Sequence, residues 1–258
     1  MKRTFLFGAI AMALSAAALA ADFKEIRFGV DASYPPFESK APDGKVVGFD
    51  VDLGNEICRR LSAHCVWIEN DFDGLIPALK AKKFDGILSS LSMTDKRLQE
   101  IDFTNKVFKV PSRLIARANS NLQPTPQSLH GKRVGVEQGT TQEDYAKAKW
   151  APTGVEIVSY QNQDQVVADL MSGRLDASFQ DAIEANEGFL KKPQGKGFAY
   201  AGPEVLDKKY LGEGAGIGVR KADKPLKEAI NKALADIHKD GTYDKLQKKY
   251  FDFDIYGN

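Results

Sequence analysis

The 258-residue chain is short of several things. It has two cysteines and three histidines, and apart from Cys58, His64 and Cys65 they lie far apart, which leaves few ways to build a structural zinc site. It has no surplus of charge. With 36 Lys and Arg against 35 Asp and Glu, there is no bulk field to hold nucleic acid or an anionic membrane. Its one apolar run, Phe5 to about Ala18, is shorter than the roughly 20 residues a membrane span needs. No G-x-S-x-G, no Walker-type phosphate loop and no His beside a Ser or Cys nucleophile occurs. The expectation is therefore no catalytic residue, no metal, no cofactor and no nucleic-acid partner.

What is present begins with an export signal. Lys2 and Arg3 precede the apolar run, and Ala18-Leu19-Ala20 has the small-residue pattern of a secretory cleavage site, followed at once by Asp22, Lys24 and Glu25. Residues 1–20 are expected to form a signal peptide cut before Ala21. An oxidising compartment lets disulfides persist, so Cys58 and Cys65 read either as a bridge or as two buried free thiols. A bridge across so short a loop contributes about 2.5 kcal/mol in the chain-entropy picture.

Hydrophobic residues at 43% and charged residues at 28% are ordinary for a globular chain, and the length suits one to two domains at about 150 residues each. Strand-like and helix-like patterns alternate along the chain, which predicts an α/β fold. The order opens with a strand over Glu25 to Val30, a turn at Tyr34-Pro35-Pro36, a turn at Pro42-Asp43-Gly44 and a strand from Val46 to Phe49. A helix from about Val51 to Leu61 follows, with Asp50 and Asp52 read as its caps, then a strand over Val66 to Asn70, a helix near Leu75 to Ala81 and a strand over Asp85 to Leu88. Two segments echo each other in the same order: Arg27 to Asp31 resembles Arg133 to Glu137, and Leu79 to Ser90 lines up with Leu170 to Asp181. Two lobes built on one plan are expected, with ligand groups outside the carboxyl ends of the strands.

At those strand ends lie Asp31, Ser89, Ser90, Glu137 and Asp181. Acids facing one cleft suit a cation, although an isolated Asp is more often a helix cap. Thr94 reads as an N-cap, which puts Arg97 in a first helical turn where the macrodipole disfavours a cation. An anion between its guanidinium and the free N–H groups makes sense of that placement. The plain alternative is an Arg in water or paired with Asp95 or Glu100. Ser90 and Ser92 offer hydroxyls nearby. In the second half, Gly139-Thr140-Thr141-Gln142-Glu143 turns a strand into a helix, so Thr141 and exposed N–H groups can face the same anion, while a capping box of Thr140 with Glu143 explains the motif equally well. Tyr34 and Phe72 read either as aromatic walls around a ligand stem or as core.

The stretches GFDVDLGNEICRRL, FDGLIPALKAKKFDGILSSLSMTDKR, GKRVGVEQGTTQE, SGRLDASFQD and DGTYDKLQKKYFDFDIYG resemble those of the periplasmic lysine/arginine/ornithine-binding and histidine-binding proteins, over essentially the whole chain after the signal peptide. The resemblance implies a two-lobed type II periplasmic-binding-protein fold. Lobe 1 would comprise 21–108 and 215–258 and lobe 2 residues 113–205, with hinge crossings at 109–112 and 206–214. It implies a monomeric periplasmic receptor that passes a cationic amino acid to the membrane permease of an ABC importer. By the same resemblance Arg97, Ser92 and Thr141 grip the ligand carboxylate, and Asp181 and Ser90 its ammonium. Asp31 and the Ser89 carbonyl accept from the side-chain cation, Tyr34 and Phe72 wall the stem, and Cys58 pairs with Cys65. Glu137 departs from the pattern, standing where an apolar residue is expected. The enzyme alternative is a periplasmic cyclohexadienyl dehydratase on the same two-lobe plan.

Overall fold

The computed structural model describes residues 23–257, so the expected signal peptide at 1–20 lies outside the described residues. Thirteen strands follow in chain order: β1 (Glu25–Val30), β2 (Ser33–Tyr34), β3 (Glu38–Lys40), β4 (Val46–Val47), β5 (His64–Glu69), β6 (Gly86–Ile87), β7 (Asp102–Phe108), β8 (Ser112–Arg117), β9 (Arg133–Glu137), β10 (Glu156–Tyr160), β11 (Ala177–Asp181), β12 (Phe198–Tyr200) and β13 (Ala215–Val219). They form two five-stranded mixed sheets, ordered β5-β1-β6-β13-β7 and β10-β9-β11-β8-β12, and a small sheet β2-β3-β4. Helices flank the two large sheets, giving two α/β lobes.

The echo read in the sequence is a structural repeat. β1 and β9 occupy the same place in their sheets, each parallel to both neighbours, and the fourth strand of each sheet runs antiparallel to the third and fifth. The matched residues do matched work. Asp85 accepts from the Arg27 N–H at 3.1 Å and Asp176 from the Arg133 N–H at 2.8 Å, while the N–H groups of Asp85 and Asp176 donate back to the carbonyls of Arg27 and Arg133. Gly29 lies under the Phe84 ring and Gly135 under Leu175, so closely that a Cβ at either would come within 2.3 Å of that side chain. Each glycine lets the residue entering the next parallel strand press onto the sheet.

The chain passes from the first sheet to the second between β7 and β8 and returns between β12 and β13. The first lobe buries an aromatic cluster in which Phe37 and Phe108 lie 4.7 Å apart, flanked by Phe49 and Phe251. Helix Lys224–Lys239 and the segment that follows pack on this core through Ile230, Leu234, Ile237 and Tyr243. Trp150 and Phe179, 4.7 Å apart, anchor the second lobe. Cys58 and Cys65 form a disulfide that ties the end of helix Phe49–Arg60 to β5. Among the described residues no helix is long and apolar enough to cross a membrane.

Two local expectations are corrected. The strand expected at Val46 to Phe49 stops at Val47, because Gly48, at φ 138°, turns the chain and Phe49 already opens the helix. Asp50 and Asp52 do not cap that helix; Gly48 holds the cap position. Asp50 is instead buried beneath the cleft, and Asp52 pairs with Lys249 and Tyr250.

Candidate functional site

Between the lobes lies a small cavity, and all ten residues singled out as site candidates line it: Asp31, Tyr34, Phe72, Ser89, Ser90, Ser92 and Arg97 from the first lobe, Glu137, Thr141 and Asp181 from the second. Glu38, Thr140 and Gln142 complete the lining. The repeat explains the convergence. Asp31 follows β1 and Glu137 ends β9, while Ser89 and Ser90 follow β6 and Asp181 ends β11, so equivalent strand ends face each other across the cleft.

Arg97 is buried in the first turn of helix Asp95–Leu98, whose cap is Thr94, accepting from the Arg97 N–H at 3.3 Å. Its guanidinium donates to the Ser92 carbonyl at 2.9 Å and across the cleft to the Gly139 carbonyl at 3.0 Å. The remaining N–H donors are left for a bound anion. It does not pair with Asp95 or Glu100; Glu100 is taken by Lys80. Burial lowers the Arg97 pKa to about 10, with Asp144 and Asp181 opposing that shift. Opposite it, helix Thr141–Lys149 starts with Thr140 capping the Glu143 N–H and Glu143 accepting from the Gly139 N–H. The Thr140 half of the capping box therefore exists, with Glu143 reaching back one residue beyond the cap, and the Thr141 and Gln142 N–H groups still precede the first intrahelical bond, from Asp144 to the Thr140 carbonyl. An anion between Arg97 and this helix start meets donors from both lobes.

Asp181 supplies a charge opposite to that of Arg97. Its carboxylate accepts from Gln142 Nε2 at 2.6 Å, and Tyr34 of the other lobe lines the same cavity. Burial raises its pKa to about 6, although Tyr34, Gln142 and Arg97 favour the charged form. Asp31 accepts from the N–H and hydroxyl of Ser33, at 3.0 and 2.6 Å, and from the Phe72 N–H at 3.0 Å. Burial still pushes it above the usual carboxylate range. Glu137 is buried as well, and desolvation, with the charges of Asp31, Glu184 and Asp181, drives it well above that range. Carboxylates held this dry need cations or protons. The Arg97 guanidinium stands over Phe72, 5.5 Å from the ring centroid, so this ring packs on a cation as well as lining the cavity.

Two acids that sequence reading did not assign to the site support its floor: Glu38, which lines the cavity, and Asp50 beneath it. Glu38 accepts from the Ser89 hydroxyl at 3.0 Å and Asp50 from the Ser90 N–H at 2.8 Å. Together they hold Ser90 at φ 48°, a left-handed conformation uncommon for serine. Both are fully buried; desolvation raises Asp50 to about 7 and drives Glu38 well above its usual value, so the pair keeps a proton between them. The folded chain then binds more protons than the unfolded one from about pH 4 up to about 7, and stability falls as pH rises through that interval. Asp50→Asn keeps an acceptor for Ser90 and removes one charge. Its urea midpoint is expected to fall less than that of the wild type between pH 4 and 8. An undiminished fall argues against the shared proton.

Beside the Arg97–Gly139 bond, two further bonds span the lobes among the described residues: Lys96 Nζ to Asp144 at 2.7 Å and Gln161 Nε2 to Asp71 at 2.7 Å. The conformation is thus a closed one. Among the described residues no group of three or more His, Cys, Asp or Glu is placed to hold a metal ion.

Two repeated α/β lobes closed on a small charged cavity make a type II periplasmic-binding-protein fold. The chain belongs to the bacterial extracellular solute-binding proteins, family 3, whose pattern matches residues 26–253. It is 55% identical over 259 residues to the histidine-binding periplasmic protein of Escherichia coli (strain K12), covering 100% of both chains. It is likewise 55% identical over 260 residues to the lysine/arginine/ornithine-binding periplasmic protein of the same organism, again covering 100% of both. Among solved structures it is similar to a Salmonella typhimurium periplasmic binding protein described for high arginine specificity, with 32% identity and a TM-score of 0.82, covering 88% of this chain and 99% of that one.

Proposed function

We propose that this chain is a periplasmic receptor that captures a cationic L-amino acid (arginine, lysine, ornithine or histidine) and delivers it to the membrane permease of an ABC importer. The observation that carries this reading is the charge pattern of the cavity: one guanidinium beside a helix start at one pole, and Asp31, Glu137 and Asp181 elsewhere, drawn from both lobes. A zwitterion with a spare positive group complements that pattern. In this reading Arg97, Ser92 and Thr141 hold its carboxylate, Asp181 and Ser90 its ammonium, and Asp31 with the Ser89 carbonyl its side-chain cation, between Tyr34 and Phe72. The crossings at 109–112 and 206–214 act as the hinge between lobes 21–108 plus 215–258 and 113–205. The full similarity to the two Escherichia coli binding proteins supports the same reading, including a periplasmic location after cleavage before Ala21.

The ligand contacts both lobes only when they are closed, so it shifts the equilibrium toward the closed form that the permease reads. Moving a two-state equilibrium from 1:99 to 99:1 takes about 5.5 kcal/mol of differential binding. A few charge-assisted hydrogen bonds at about 1.5–3 kcal/mol each supply it. A prephenate-like substrate with two carboxylates would meet three cleft acids, so the dehydratase alternative gains no support.

A thermal-shift screen over the twenty amino acids, ornithine and octopine-like compounds tests the proposal. Basic amino acids are expected to raise the melting temperature, with a ligand at 100 times its dissociation constant adding about 2.7 kcal/mol. No shift with any basic amino acid, or a larger one with glutamate, would refute it.

A further inference from the structure

Glu137 has a place in the cavity and no partner in it. The residue is 3% exposed, and among the described residues the one side-chain hydrogen bond it accepts, from Thr140, goes to its backbone carbonyl and none to its carboxylate. The charge acting most strongly on it is that of Asp31, an acid from the opposite lobe, followed by Glu184 and Asp181, and all of these repel. Lobe closure therefore brings two carboxylates to the same part of the cavity. Something positive belongs between them.

We propose that Asp31 and Glu137 together form a two-carboxylate seat for a guanidinium, which makes this receptor discriminate for arginine over lysine and ornithine; the inference rests on the function proposed above.

The acceptor count favours that shape. Ser33 and the Phe72 N–H already take three bonds from Asp31, leaving about one of a carboxylate's roughly four lone-pair positions, whereas Glu137 keeps all of its own. A guanidinium presents five N–H donors in one plane, with a fork that fits both oxygens of a carboxylate. It can lie bidentate on Glu137 and still reach Asp31. A lysine ammonium has three donors on one centre and meets a carboxylate as a point charge, leaving acceptors of Glu137 dry and unfilled. The flat group also stacks on aromatic rings, and Tyr34 and Phe72 line the same cavity. Citrulline has the length and shape of arginine without the charge, so it leaves both acids uncompensated.

Calorimetry on the full chain after signal cleavage, with arginine, lysine and citrulline at pH 7.5, provides the test. The wild type is expected to bind arginine at least about tenfold more tightly than lysine, which corresponds to one additional charge-assisted hydrogen bond. Citrulline is expected to bind at least about 100-fold more weakly than arginine. In Glu137→Gln the arginine-to-lysine ratio should contract to about threefold or less, chiefly through loss of arginine affinity. Glu137→Leu, which fills the volume without charge, gives the same comparison should the Gln variant not fold. Equal affinities for arginine and lysine in the wild type, or a ratio unchanged by removing the Glu137 charge, overturn the guanidinium seat while leaving the cationic-amino-acid reading intact. Failure of arginine and lysine alike to bind overturns this inference, and failure of ornithine and histidine as well refutes the reading on which it rests.

Discussion

Arg97→Ala is expected to weaken binding of every amino acid the receptor takes by about 2–4 kcal/mol, or roughly 30- to 900-fold, whatever the ligand's side chain. The reason is positional. The guanidinium lies next to a helix start and spends two donors on the Ser92 and Gly139 carbonyls. Its other donors meet only what all α-amino acids share. Truncation removes a buried cation, and Asp181, which now gains from the nearby positive charge, is left more costly to ionise. Isothermal titration with arginine, lysine and histidine should give losses that agree within about 0.5 kcal/mol, the usual tolerance for independent effects. A loss confined to one ligand would contradict the assignment.

Asp31→Asn should do the opposite and sort ligands by charge. Arginine and lysine are expected to lose about 1.5–3 kcal/mol, or roughly 10- to 150-fold, while a neutral amino acid such as glutamine changes far less. The variant has a local cost of its own. Asn keeps an acceptor toward Ser33 but turns a donor toward the Phe72 N–H that Asp31 now satisfies. That cost is common to every ligand, so the excess loss for the cations measures the charge. Equal losses for cationic and neutral ligands would remove Asp31 from the side-chain site.

Most of the residues that sequence reading singled out stand at or just beyond strand ends or at helix starts, where local pattern and chain position coincide. Asp31 and Glu137 were legible as acids closing two similar apolar strands, and the pairing of Gly29 with Phe84 and Gly135 with Leu175 gives that likeness its physical cause. Arg97 was legible because a cation in a first helical turn runs against the dipole. Glu38 was not legible. It lies in a three-residue strand of the small sheet, where neither a helical nor an alternating period can develop, and its burial depends on Ser89, Ser90 and Asp50 arriving from other elements. Asp50 was misread for a related reason, since an acid at the start of a helix looks like a cap until the tertiary fold turns it inward to the Ser90 N–H. Gln142 escaped because a neutral amide at a helix start is ordinary in sequence. Only the fold brings Ser112 and Asp181 to its Nε2.

A crystal structure with arginine bound tests the central claim most directly. The account predicts closed lobes around the ligand, its carboxylate on the Arg97 guanidinium and the start of helix Thr141–Lys149, its ammonium on Asp181, and its guanidinium between Asp31 and Glu137. A bound arginine with Arg97 turned away from it, or held by one lobe alone, would contradict the account.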